Sequence, residues 1–459
     1  MAQSTTLPVR PAAISGFLSF NKMPPKLVIA ADATEEDFDQ TLMDHLEEEG
    51  YDVIYLPYEG GGKEYANELK ALGDDLELGE TYSLVVFGVA AADALQVHLK
   101  PMPKLNSLIA YYPPVLPPKN ANYPPSLPVL IHLTNPHPPV TNCKSYTYYH
   151  VQNGFAEHNK PQFDAVSASL AWSRTLGQIR KGFKIEVDLE RVWEGHLNNE
   201  FRQKDASSTV AAMVPDAYVN HVPTMTGGIG TDDLLRFYRD FFVQDNPPSL
   251  KFRLVSRTTG VDRIVDEMVL LFDHTEEMPW MLPEVPPTNK HVEIAIVSIV
   301  CIRGGKLYHE HVYWDQASVL LQIGLLDPNL GKGGVERLPV TGAESAKKVL
   351  DAHSYESNDL LEDWWTDEED ESEDESEEEE DEEDEDEDEK EDGEEDEDED
   401  DKDEEDEEEK EEDEEDENGD EGRKEEGKQL QDKGKVKAQA QDQDQARPNK
   451  EQQKQKANQ

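Results

Sequence analysis

Residues 362–459 hold 55 acids against 13 Lys/Arg, a formal charge of −42, and the stretch from Thr366 to Glu426 is almost entirely Asp and Glu. A run so charged cannot bury enough apolar surface to offset chain entropy, and it is expected to be disordered. The preceding 361 residues hold 47 acids against 30 Lys/Arg, or −17, so the −59 of the whole chain mostly describes its tail. An acid block of this kind attracts basic proteins through salt-sensitive contacts and repels nucleic acid. Ser372 and Ser376 lie among acids and are expected targets of acidophilic kinases. Trp364-Trp365, just before the tract, read either as a docking element or as the end of a helix.

Apart from the tail, about 330 residues have ordinary globular composition, enough for two domains. Residues 1–24 are expected to be a disordered extension; their lack of acids and the apolar run Ile14 to Phe20 leave an organelle presequence as the alternative. The two cysteines, Cys143 and Cys301, point to a reducing compartment without disulfides. No stretch approaches the roughly 18 apolar residues of a membrane span. A cytoplasmic setting is expected, with a nuclear one suggested by the tail. No cofactor is implied, and a homodimer is left open.

Over 25–182, strands alternate with helices. Lys26 to Asp32, Asp52 to Leu56, Tyr82 to Gly88, Leu105 to Pro113 and Leu127 to Leu133 read as strands; Glu35 to Glu49, Ala90 to Leu99 and Gln162 to Lys181 read as helices. Continuous apolar strands between helices imply an α/β parallel sheet covered on both faces. Over 187–330 the order changes to α+β. An amphipathic helix is expected over Leu189 to Lys204, a short one over Ala206 to Val214, and a third over Asp232 to Phe242. Four strands then follow, over Lys251 to Thr258, Asp262 to His274, His291 to Arg303 and Lys306 to Asp315, the last two joined at Gly304-Gly305. Residues 331–361 read as a linker with a short helix from Gly342 to Ala352.

Two sets of residues carry family resemblances. Val85-Val-Phe-Gly-Val-Ala-Ala-Ala and Tyr148-Tyr-His-Val-Gln-Asn-Gly-Phe-Ala resemble the dienelactone hydrolase family, which implies a truncated α/β-hydrolase-like sheet. By position, Ala90 stands where that family has its nucleophilic Cys, and Asn153 where it has its His. Alanine cannot attack a carbonyl and an amide cannot serve as the triad base, so the resemblance implies a hydrolase-derived domain without its chemistry. An ordinary doubly wound domain with an accidental likeness is the plainer alternative.

Phe272-Asp-His-Thr-Glu-Glu-Met-Pro-Trp, Val285-Pro-Pro-Thr-Asn-Lys and Gly305-Lys-Leu-Tyr-His-Glu-His-Val-Tyr-Trp-Asp resemble the SnoaL-like polyketide cyclases of the nuclear transport factor 2-like superfamily. The pair of segments is also similar to fungal proteins labelled carboxymethylenebutenolidases. This implies a cone-shaped domain around a pocket for a small carbonyl, lactone or polyketide-type compound. Glu284 and Asn289 depart from that group, which tends to have Gly at both positions.

On the last strand, strict alternation places Leu307, His309, His311, Tyr313 and Asp315 on one face, taken as the pocket face. Asp315 matches the proton-abstracting Asp of the cyclases, with His311 and His221 as its catalytic companions and His274, Trp280 and Tyr313 as ligand-binding residues. Asp315 is equally well placed to cap the following helix. His309 and His311 form a candidate metal pair without an evident third ligand, so no metal is expected. The opposing functional expectation is a non-catalytic scaffold whose acidic tail holds basic proteins.

Overall fold

The computed structural model describes residues 10–11, 24–135, 143–330 and 335–361. The acidic tract, Trp364-Trp365, Ser372, Ser376 and nearly all of the 1–24 extension lie outside the described residues. Described residues all belong to one compact unit, Met1–Glu377.

A two-residue strand β1 (Arg10–Pro11) precedes the first half. There β2 (Lys26–Ala31), α1 (Gln40–Glu48), β3 (Asp52–Pro57), α2 (Gly62–Ala71), β4 (Tyr82–Phe87), α3 (Gly88–Val97), β5 (Leu105–Tyr111), β6 (Val129–Leu133), β7 (Lys144–Thr147) and α4 (Ala165–Phe183) follow in order. The strands form one sheet in the order β3-β2-β4-β5-β6-β7, parallel throughout. Every residue of β4 and β6 is buried, as a strand covered on both faces requires. Met43, Leu46, Leu176 and Ile179 of α1 and α4 cover one face; Tyr65, Leu69, Ala91 and Leu95 of α2 and α3 cover the other. Helix α1 starts later than its periodicity suggests because the Asp39 side chain caps it at Leu42 N. Strand β7 and helix α2 were not expected from the sequence.

The second half runs β8 (Ile185–Glu186), α5 (Leu189–Leu197), a single π turn (Asn198–Gln203), α6 (Ala206–Ala211), β9 (Met213–His221), β10 (Thr226–Ile229), α7 (Gly230–Phe241), β11 (Lys251–Thr259), β12 (Arg263–Asp273), β13 (His291–Arg303), β14 (Lys306–Trp314) and α8 (Gln316–Gln322). Helix α9 (Ala343–Leu350) follows. The sheet order is β10-β9-β14-β13-β12-β11, antiparallel except that β9 and β14 run parallel. The four-strand meander matches the sequence reading, and Gly304 (φ 55°) and Gly305 (φ 76°) make its last turn with the left-handed backbone that tight hairpins need. The expected long first helix is instead broken into α5 and the π turn. Strand β9 was missed: Pro215 interrupts its first half, and alternation is clean only from Ala217 to His221.

The halves are bolted together. Arg180 of α4 meets Glu49 at 2.7 Å and donates to the Val261 carbonyl. Asp262 accepts from Ser173 Oγ at 2.6 Å, and Arg303 reaches Glu48 at 2.9 Å. Val261, in the β11–β12 turn, packs into the first half's core.

Candidate active site

On β12, β13 and β14 the inner face of the second sheet is apolar except for one polar residue per strand. Along β12, Ile264, Asp266, Met268 and Leu270 are buried; along β13, Ile294, Ile296, Ser298 and Val300; along β14, Glu310, Val312 and Trp314. Each of the three stripes is interrupted by one polar residue. Asp266 and Ser298 are direct cross-strand partners, and Ser298 Oγ donates to Glu310 Oε1 at 2.8 Å. Three adjacent strands therefore place a carboxylate, a hydroxyl and a carboxylate side by side on an apolar floor.

Above them lies a cavity of about 460 Å³, lined also by Trp193, Glu200, His221, Tyr238, Phe242 and Trp280. That volume is in the range of small-molecule sites. The π turn brings in Glu200, which is 3% exposed, and helix widening of this type recurs at functional sites. His196 Nε2, one turn earlier, lies 3.1 Å from Glu200 Oε1, and Trp193 stacks on His196 with ring centroids 5.7 Å apart. The Trp193 indole donates to Asp266 at 2.8 Å, while Arg257 from β11 grips the same carboxylate at 2.7 and 2.8 Å.

Burial, reinforced by the charge of Glu200, pushes the Glu310 carboxyl up to about 7. Burial opposes the His196 cation, but Glu200 and then Glu310 outweigh it and its pKa is raised. Burial drives His221 down to about 4, so its imidazole is neutral. The site thus holds a carboxyl poised to exchange a proton near neutral pH, an acid–base partner pair beside it, and a fixed Asp266–Arg257 ion pair. Donor atoms of His196, Glu200 and Glu310 lie within 4.8 Å of one another, the set among the described residues that could hold a metal ion. As they stand, these groups already pair among themselves and with Ser298.

The residues proposed from sequence do not converge. His221 and Trp280 line the cavity, but His221 Nδ1 lies 3.2 Å from the Thr226 carbonyl and the Trp280 indole donates to Asn246 at 2.9 Å. His274 is buried outside the cavity lining, with Nδ1 3.1 Å from Thr288 Oγ1. Asp315, His311 and Tyr313 lie outside the lining too. Asp315 is the exposed N-cap of α8, accepting from Ala317 N at 3.0 Å and Ser318 Oγ at 2.7 Å. His311 bonds to Tyr218 on the outer face.

The assignment of β14's faces was inverted, and a bulge explains it. Pairing with β9 shifts between Leu307 and His309, and pairing with β13 shifts between Cys301 and Ile302. Leu307 therefore shares the inner core with Val312 and Trp314, although strict alternation puts it with His309 and His311. His309 and His311 acquire no third ligand among the described residues.

In the first half, Ala90 is fully buried in the first turn of α3. The residue that turns with positive φ at the end of β4 is Gly88, at 57°. A nucleophile elbow exposes its side chain at such a strained strand-to-helix turn, and Gly88 has none to expose. Asn153 accepts a bond from Thr134 Oγ1 at 2.6 Å. Glu284 and Asn289 take φ values of 62° and 57°, the left-handed backbone that glycine adopts most easily.

No family profile matches the chain, and no curated protein does. Solved structures give partial likenesses. TsrD from Streptomyces laurentii aligns at 16% identity over 31% of this chain and 100% of its own, with a TM-score of 0.26. A protein from Jannaschia sp. CCS1, provisionally assigned as a SnoaL-like polyketide cyclase, aligns at 16% identity over 30% of this chain and 94% of its own, TM-score 0.24. An NTF2-like protein of unknown function from Burkholderia xenovorans LB400 aligns at 15% identity over 28% and 82%, TM-score 0.20. Likenesses of this size assign no activity. Among the described residues, no helix is long and apolar enough to cross a membrane.

Proposed function

We propose that the second half binds a small carbonyl compound and moves a proton at the carbon beside its carbonyl, as cyclases and isomerases of this chemistry do. The observation that carries this reading is Glu310: a carboxyl 6% exposed, on the floor of an aromatic-walled cavity, with its proton affinity raised to about 7. A base with that affinity takes a proton at neutral pH and returns it without a large energetic gap. Ser298 orients the carboxyl, and the His196–Glu200 pair is the adjoining group through which charge on the substrate oxygen is met. The first half, without a nucleophile at Gly88 or Ala90, is a brace derived from a hydrolase-like sheet, and the acidic tail is an appended hook for basic proteins.

The test is deuterium incorporation beside the carbonyl, followed by proton NMR in D₂O, with a panel of lactones, β-keto esters and cyclic ketones. Wild type is expected to exchange at least one member, and Glu310→Gln to lose about 100-fold or more of that rate. Exchange that survives in Glu310→Gln, or that is lost in Asp315→Asn, refutes the assignment.

A further inference from the structure

We propose that the molecule this cavity takes carries a positively charged amine, a compact organic ammonium held between the aromatic wall and the Glu200–Glu310 carboxylates. The inference rests on the reading of the cavity as a small-molecule site and names the class of ligand.

Charge is the argument. Glu200, Asp266 and Glu310 are 3%, 1% and 6% exposed and all line the cavity. Asp266 is neutralised by the two-pronged grip of Arg257, and Glu200 is matched by His196. Glu310 is left with a hydroxyl, that of Ser298, as its hydrogen-bond partner. His221, the other imidazole in the wall, is held neutral by burial. Glu200 and Glu310 thus share a single imidazole, that of His196, whose donor atom lies within 4.8 Å of both. With both carboxylates ionised one buried negative charge stays unmatched, which is strongly disfavoured, and a positive group from the ligand matches it.

The walls supply the second half of the recognition. Trp193, Tyr238, Phe242 and Trp280 surround the same space, and ring faces attract ammonium groups by their quadrupoles, most strongly when desolvated. An anionic ligand would add negative charge beside Glu200 and Glu310, and a neutral ligand leaves the ring faces without an electrostatic complement and Glu310 to be matched by a proton.

The experiment compares matched pairs on the purified full chain by calorimetry at pH 7.5: choline against 3,3-dimethylbutan-1-ol, and benzylamine against benzyl alcohol. Each ammonium is expected to bind about tenfold or more tighter than its neutral counterpart. In Glu200→Gln/Glu310→Gln the ratio should fall to near one. Equal affinities within both wild-type pairs, or preference for the alcohols, overturn the cation inference and leave the pocket reading standing. Zn²⁺ or Mn²⁺ binding through His196, Glu200 and Glu310 without ammonium preference also overturns it. If none of the four probes binds, the cation inference falls. Deuterium exchange dependent on Glu310 would then keep the proton-transfer reading, and its absence would remove both. Because the wild-type ratios decide the matter, a variant that fails to fold does not protect the proposal.

Discussion

Replacing Glu310 by Gln keeps the side chain's size and its acceptor for Ser298 while removing one titration, so its effect on folding is computable. In the folded chain the carboxyl is raised from 4.5 to about 7. The native state therefore binds this proton more tightly than the unfolded state between those values. Its contribution to stability is complete below pH 4.5, declines as pH rises, and is gone above about 7. At about 1.4 kcal/mol per pH unit, the loss is about 3 kcal/mol. Glutamine has no such loss. The groups facing Glu310 are Glu200 from the π turn, His196 from α5, Asp266 from β12 with its partner Arg257 from β11, Tyr238 from α7 and His221 from β9. Both proteins contain all of them, so the difference reports Glu310 together with the shift that it imposes on His196. Urea unfolding of the two full-length proteins at half-unit steps from pH 4 to 8 measures it. The stability of Glu310→Gln relative to wild type should climb by about 3 kcal/mol across that range. A flat difference would mean that Glu310 ionises like a solvated carboxylate. The cavity floor would then be wet, and the argument for proton transfer at neutral pH would fail with it.

Asp315→Ala should cost about 1 kcal/mol of stability through the lost cap of α8, whereas Asp315→Asn, which still caps, should be nearly neutral in the same unfolding assay. Trp193→Phe removes the indole bond to Asp266 but leaves Arg257 in place, and a loss of about 1–2 kcal/mol is expected in urea melts. Arg180→Ala strands the buried Glu49 carboxylate and the Val261 carbonyl at the seam between the halves; a loss of about 3–5 kcal/mol is expected, with the seam opening first in hydrogen exchange. Gly304→Ala adds a Cβ 2.8 Å from the Glu48 carbonyl oxygen at a positive φ, and should lower stability by at least about 1 kcal/mol with both halves affected.

Much of the architecture was legible because it follows from period and punctuation. Buried apolar runs such as Tyr82–Phe87 read as parallel strands, and Gly304-Gly305 gave the hairpin. The halves change character near residue 185 because strand–helix alternation stops there. The seam could not be read: Arg180, Glu49, Val261 and Arg303 are ordinary residues in sequence, and only the packing of two sheets makes them partners. Asp39 was read as part of α1, but its fully buried carboxylate accepts from both the backbone and the ring of His158, 119 residues away.

The site was misread by one position, and the reason is physical. Strict alternation from Leu307 carries His311 and Asp315 inward, and those residue types look like chemistry. The apolar members of the opposite face carried the better signal. Val312 and Trp314 cannot both face water on a strand whose neighbours are buried, so their face is the core face, and Glu310 goes with them. The same test applied to β12 and β13 isolates Asp266 and Ser298, each a lone polar residue in an apolar stripe. A single charge that interrupts such a stripe is costly to bury and has to be matched by a partner, a proton or a ligand. Here Asp266 is matched by Arg257 and Glu310 by a proton. That leaves Glu310 as the group in this row whose charge state can change when something enters the cavity.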